Sequence, residues 1–289
     1  MESAEDALRQ SVRRNFLMNK RPLCSRSFAL VLVCVCMCTG VHATPIHAQA
    51  SSSPATAAKA MPDGKALVEK SLEAIGTKDA RASIKSTAMK LSVRSLVGTS
   101  KVSLTIVDPN KVLMTQSIEG MAQSSVEIGF DGTTGWMRTA AAPPRVLTAE
   151  MCAQFSKGSD AQELARSLDT RFETFTTLGE ETVDGVDAWK VKMVDSDGIA
   201  SFGFFAKTTG FLRALDNVQK TPQGEMTSRT VFDRWERVGP VFCFRAITVT
   251  QSGAKQDITF DEIAFNSVKD DAIVAPAALR PTQAVSPQN

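Results

Sequence analysis

The sequence predicts a mainly β (α+β) fold: a half-open antiparallel β-barrel of about eleven or twelve strands with a helical lid. Three observations lead there. Apolar residues recur at every second position over most of the chain. Turn chemistry cuts that pattern at short intervals, and only two regions switch to helical spacing.

The first helical region is residues 63–76, where Leu67, Val68, Leu72 and Ile75 share a face, Asp63 stands as N-cap and Gly76 as the stop. A shorter turn follows over 79–84. Strand spacing then begins, at Met89, Leu91 and Val93, at Val102, Leu104 and Ile106, at Val112 and Met114, and at Val126, Ile128 and Phe130. It resumes later at Trp189, Val191 and Met193 and at Phe202 and Phe204. Alternation of this kind marks a strand with one face buried and one solvated. Asp108-Pro109-Asn110, Asp131-Gly132, Asp184-Gly185, Asp197-Gly198, Thr209-Gly210 and Ser252-Gly253 separate the runs. Links this short join antiparallel neighbours, since a parallel crossover needs a dozen residues or more.

The second helical region interrupts the strands. Thr148 can cap a helix carrying Met151 and Phe155, and Ser159-Asp160-Ala161-Gln162 has capping-box spacing before Leu164 and Leu168. The predicted order is helix, about five strands, helices, then about seven strands. A twisted meander of that size curls rather than staying flat. Sheets beyond eight strands leave internal space when they curl, and the two helical regions are placed to cap it. A cavity lined by Met, Leu, Val, Phe and Trp suits an apolar ligand, with acyl chains the obvious candidates.

Composition removes several kinds of chemistry. Both histidines, His42 and His47, lie in the first fifty residues with four of the six cysteines, and there is no tyrosine. The body from residue 51 onward therefore lacks an imidazole, which excludes Ser-His-Asp and Cys-His hydrolysis and His-ligated metal. No cofactor, metal or catalytic residue is expected, and no enzymatic activity. Residues 1–50 read as an N-terminal extension and export signal. Translation is expected to start at Met18, before Asn19-Lys20-Arg21, and an eleven-residue apolar run, Phe28 to Cys38, follows. Small-residue patterns ending at Ala43 and Ala50 place cleavage between them, and a periplasmic location follows. Residues 51–61 form a linker, 62–275 the barrel domain and 276–289 a loose tail. The whole chain has 33 basic and 31 acidic residues, of which residues 1–50 hold six and three. That near-neutral body argues against nucleic acid as partner. A monomer is expected.

Several segments resemble bacterial outer-membrane lipoprotein-sorting proteins. They are Ala66-Leu67-Val68-Glu69-Lys70-Ser71-Leu72-Glu73-Ala74-Ile75-Gly76, followed by Ile84-Lys85-Ser86, and Gly129-Phe130-Asp131-Gly132-Thr133-Thr134-Gly135-Trp136. Ala206-Lys207-Thr208-Thr209-Gly210-Phe211-Leu212 and Ile258-Thr259-Phe260-Asp261-Glu262-Ile263 complete the set, across residues 62–275. The resemblance is to the LolA carrier and LolB receptor superfamily. It implies a half-open barrel with a hydrophobic cavity for the acyl chains of lipids or lipoproteins, and envelope membrane proteins as further partners. LolB-type relatives are lipid-anchored. Here Cys34 follows Val33 and Cys38 follows Met37, so the small residue that lipidation needs is absent.

Eight residues are expected to point inward and line the cavity: Met89, Leu91, Leu104, Met114, Ile128, Trp136, Phe202 and Phe204. Trp136 has an equally good reading as a core plug. Cys152 and Cys243 are either a disulfide, which export permits, or two small buried thiols. The pairs Glu180-Glu181, Asp261-Glu262 and Asp270-Asp271 read as solvated charges, because adjacent strand residues face opposite ways. The alternative function is a periplasmic sensor or protein-interaction module on the same fold.

Overall fold

The computed structural model describes residues 61–279, apart from Val97, Ala122, Ser159, Pro222, Gln223 and Asp270. The expected signal segment, nearly all of the linker, the last residues of the tail and one member of the Asp270-Asp271 pair lie outside the described residues.

Two helices open the described chain. Helix α1 (Gly64–Ile75) starts where the Asp63 carboxylate accepts from the Ala66 N–H and ends with Gly76 N–H donating to Leu72 O. Val68, Leu72 and Ile75 make its buried stripe. Helix α2 (Lys78–Ala82) is one turn, capped by Thr77. Six strands follow: β1 (Ser86–Ser95), β2 (Gly98–Val107), β3 (Lys111–Ile118), β4 (Val126–Phe130), β5 (Gly135–Thr139) and β6 (Ala142–Val146). Three helices interrupt them: α3 (Ala149–Gly158), α4 (Ala161–Arg166) and α5 (Leu168–Arg171). Seven more strands complete the sheet: β7 (Thr174–Val183), β8 (Val186–Val194), β9 (Ala200–Ala206), β10 (Leu212–Thr221), β11 (Gly224–Val238), β12 (Val241–Gln251) and β13 (Ala254–Phe265).

All thirteen strands belong to one antiparallel sheet, ordered β6-β5-β4-β3-β2-β1-β13-β12-β11-β10-β9-β8-β7. Each hairpin pairs with its sequence neighbour, and β1 pairs with β13, which joins the two meanders. The unpaired edges are β6 and β7, consecutive in sequence. The sheet is therefore open where α3–α5 are inserted, and the fold is a half-open barrel. The strand expected least is β6: Pro143 and Pro144 lack the N–H that a central strand donates, and they are tolerated because β6 lies at the edge.

Alternation sorts the sheet into two faces. Cross-strand neighbours Leu91–Val102, Met89–Leu104, Leu104–Met114 and Met114–Ile128 run as one apolar row across β1–β4. They pack with α1, α3 and α4 into the main core, together with Phe205, Leu212, Phe232, Phe244, Ile258 and Phe260. Leu104 is only 5% exposed there. Leu104→Glu is accordingly expected to lose several kcal/mol of stability at neutral pH, the penalty of an unpaired buried carboxylate. The native environment would raise that carboxyl's pKa, so the deficit should shrink as pH falls and the group protonates. Thermal melts of variant and parent from pH 7 to pH 4 measure it; a deficit independent of pH would refute the burial of charge as its cause.

Candidate functional site

Two cavities flank the β2–β3 turn at Asp108, Pro109 and Asn110, and Pro109 lines both. The first, about 700 Å³, is lined by that turn, Phe130 of β4, the β4–β5 turn, Val146 at the end of β6, Leu147 after it, and Ala149, Cys152 and Ala153 of α3. Its walls are mostly apolar, and they include one exposed apolar side chain, Val146 (61% exposed). Helix α3 closes tightly over the sheet because residue 135 is glycine. A Cβ at Gly135 would fall inside the Cys152 sulfur.

Asp131 shapes the β4–β5 turn. Its Oδ1 accepts from the N–H groups of Thr133 (3.0 Å) and Thr134 (2.8 Å), and its Oδ2 from the Ala275 N–H (3.1 Å). Partial burial pushes the Asp131 carboxyl upward, but these donors outweigh it and hold the pKa below the ordinary 3.8. With the folded value lowered, this carboxylate's contribution is complete above 3.8 and is lost as pH falls through its folded pKa. Asp131→Ala is expected to cost about 1.5–3 kcal/mol, the range for hydrogen bonds to a charged group. Its deficit relative to the parent should fade at acid pH, as denaturant titrations at pH 7 and pH 3 would report.

The second cavity, about 610 Å³, is charged. Lys78 and Arg81 of the α2 segment, Lys85, Arg166 of α4 and Arg171 of α5 line it, with Asp108, Asp160, Glu163 and Asp169. Arg81 ties the two helical regions together, donating through Nη1 to Arg166 O (2.7 Å) and through Nε to Gly76 O (3.2 Å). Asp160 caps α4 by accepting from the Gln162 N–H and pairs with Arg166 Nη2 at 3.4 Å, both side chains about nine-tenths buried. Burial holds the Asp160 carboxyl above its usual range against the pull of Arg166. Gln162 Nε2 donates to Phe244 O, fixing α4 on β12.

The structure separates the eight residues expected to line one cavity. Met89, Leu91, Leu104, Met114 and Ile128 share the main core beneath the helices. Trp136, Phe202 and Phe204 do not share that face. Trp136 lies opposite Gly129 on the far side of the sheet, with Val107, Leu113, Ile273 and Ala275, and donates to Glu127 Oε1 at 2.9 Å. Phe204 sits with Val183, Ala188 and Ala214, with Phe202 packed against them, while Gly203 and Phe205 take the helix side. None of the eight lines either cavity described above.

Cys152 and Cys243 are both buried free thiols, so the bridge is not formed. Burial raises both thiols, Cys243 to about 12, which leaves neither ionised near neutrality. The acidic pairs diverge: Glu180 meets Lys207 while Glu181 meets Lys190 and Arg229, and Asp261 accepts from Ser92 while Glu262 meets Lys90. Among the described residues no three His, Cys, Asp or Glu side chains are placed to hold a metal ion. Of the residues that build both cavities, the sequence showed Asp108, Pro109 and Asn110 as a turn, Ile106 and Phe130 as strand positions, Asp160 as part of a helix start and Cys152 as a thiol that could pair, with no signal that set them together.

Known structures share this architecture at low identity. A DUF1329-family protein from Desulfovibrio piger aligns with a TM-score of 0.51 and 13% identity, over 76% of this chain and 100% of that one. A LolA-superfamily protein from Nitrosomonas europaea gives 0.48 and 11%, over 74% and 99% of the two chains. A putative outer membrane lipoprotein-sorting protein domain from Vibrio parahaemolyticus gives 0.44 and 10%, over 69% and 94%. No protein-family model matches the chain, and no curated protein does. The likeness to the DUF1329-family structure is one of fold: a half-open barrel made of one open antiparallel sheet with few helices.

Proposed function

We propose that this chain is an exported, periplasmic carrier that binds lipids or lipoproteins and shields their acyl chains, as outer-membrane lipoprotein sorting requires. One observation carries the reading: a largely apolar cavity of about 700 Å³, with the exposed apolar side chain of Val146 in its wall, at the opening of a half-open sheet. That volume falls in the range of small-molecule sites, roughly 300–1,000 Å³. Transfer needs no nucleotide or metal, because each methylene moved from water into the cavity contributes about 0.8 kcal/mol. Chains enter beside α3, and lifting α3 from β3 extends the cavity toward Met114 and Ile128. Envelope membrane proteins are the partners that would trigger such opening.

The test is binding of a fluorescent fatty acid to the delipidated protein, with native mass spectrometry of the protein as purified. Ala153→Trp, at the exposed wall of the cavity, should fill it without disturbing the sheet. Affinity should fall about tenfold for every two methylenes left in water. Absence of bound lipid from both measurements would overturn the carrier reading in favour of a protein-interaction module.

A further inference from the structure

We infer that the two cavities form one site for a phosphate-bearing amphiphile, the acyl chain in the apolar cavity and the phosphate headgroup in the charged one. This deepens the carrier reading and rests on it. Adjacency is the first argument. Pro109 lines both cavities, so a molecule lying across the β2–β3 turn reaches apolar wall on one side and guanidinium groups on the other. An amphiphile has that division of polarity within a single molecule. A wholly apolar ligand would leave the charged half unused.

Arg166 gives the second argument. It lines the charged cavity, its side chain is 9% exposed, and its Nη1 is shut off from water with no hydrogen-bond acceptor. Its one carboxylate contact is the 3.4 Å approach of Nη2 to Asp160. Buried cationic donors are ordinarily satisfied, so an orphaned one beside a cavity marks a place where an acceptor belongs. Charge balance points the same way. Five basic residues line this cavity against four carboxylates. Arg171 is held by Glu163 at 2.8 Å and Arg81 by two backbone carbonyls, whereas Lys85 meets Asp108 only at 3.9 Å. A phosphate offers several anionic oxygens at once and matches the planar fork of a guanidinium. The surrounding carboxylates disfavour a densely charged anion without a lipid tail, because such a ligand brings no apolar burial to offset their repulsion.

Competition against the bound fluorescent fatty acid tests this on the delipidated protein. Phosphatidylglycerol and phosphatidylethanolamine are compared with diacylglycerol of the same acyl chains, and inorganic phosphate is added alone. The phospholipids should compete at least about tenfold better than diacylglycerol, a difference of 1.4 kcal/mol. That advantage should weaken as salt rises. Lys78→Met with Lys85→Met, both exposed side chains whose loss leaves the core intact, should bring the phospholipids down toward diacylglycerol's level. Ala153→Trp should weaken all three lipids alike. Equal competition by phospholipid and diacylglycerol would overturn the headgroup assignment while leaving the carrier reading standing. Displacement by millimolar inorganic phosphate would overturn it too, since the charged cavity would then act apart from any acyl chain. Failure of the fatty acid itself to bind removes both proposals together.

Discussion

Gly129→Ala is expected to destabilise the protein by about 3 kcal/mol, at the upper end of ordinary overpacking. A Cβ at residue 129 would penetrate the six-membered ring of Trp136, its cross-strand partner on β5. The indole cannot retreat easily. It is 2% exposed, its N–H is committed to Glu127, and Ile273 and Ala275 of the C-terminal segment cover it. The cost should therefore appear as displacement of the whole segment, not as a local rotamer change. Denaturant titration gives the loss, and a double-mutant cycle with Trp136→Leu gives its cause. In the Trp136→Leu background the Gly129→Ala penalty should fall to below about 1 kcal/mol, because the ring it strikes is gone. A penalty of the same size in both backgrounds would place the clash elsewhere.

That pair also shows where sequence reading reaches its limit. Period-two spacing located the strands, because each needs an apolar row on its buried face. It did not say which side of a hairpin each row takes when both sides hold apolar residues. At Phe202, Gly203, Phe204 and Phe205 the residue between the first two phenylalanines is glycine, which favours neither face. Pairing settles the matter: Gly203 lies opposite Leu215 of the main core, and Phe204 opposite Ala214 of the other face. Trp136 is similar, since its far side is covered by Val268, Ile273, Ala275 and Leu279, which straddle the expected end of the barrel domain and carry no strand spacing. Helix starts at Asp63 and Thr148 were legible because capping is local. The hydrogen bond from Arg81 to Arg166 O spans eighty-five residues, and no local pattern announces it.

The same separation of local from distant signals explains why the opening was foreseen only in outline. A meander broken by helices implies a gap, and the gap does lie at the break, between β6 and β7. The β1–β13 pairing that brings the first and last strands together in the middle of the sheet has no local signature. Once it forms, both cavities are set at the β2–β3 turn, where α2, α4 and α5 meet one side and α3 the other. Stability of the helix cluster therefore bears directly on the site.

Asp160→Ala is expected to cost about 3–5 kcal/mol, the range for removing one member of a buried ion pair. Asp160 and Arg166 are 10% and 9% exposed, and arginine keeps its charge at every accessible pH. Without the carboxylate, that guanidinium has the Phe265 ring at 5.3 Å and an Nη1 already lacking an acceptor. The variant also loses the cap on α4, worth about 1 kcal/mol. If the stranded charge is the main cost, Asp160→Ala combined with Arg166→Met should recover most of the loss, leaving roughly the capping term. The Arg81 bond to residue 166 survives in that double variant, since it is made to the backbone carbonyl. Chemical denaturation of the two single variants and the double variant measures this. A double variant as unstable as Asp160→Ala alone would show that Asp160 acts through the cap and not through the pair.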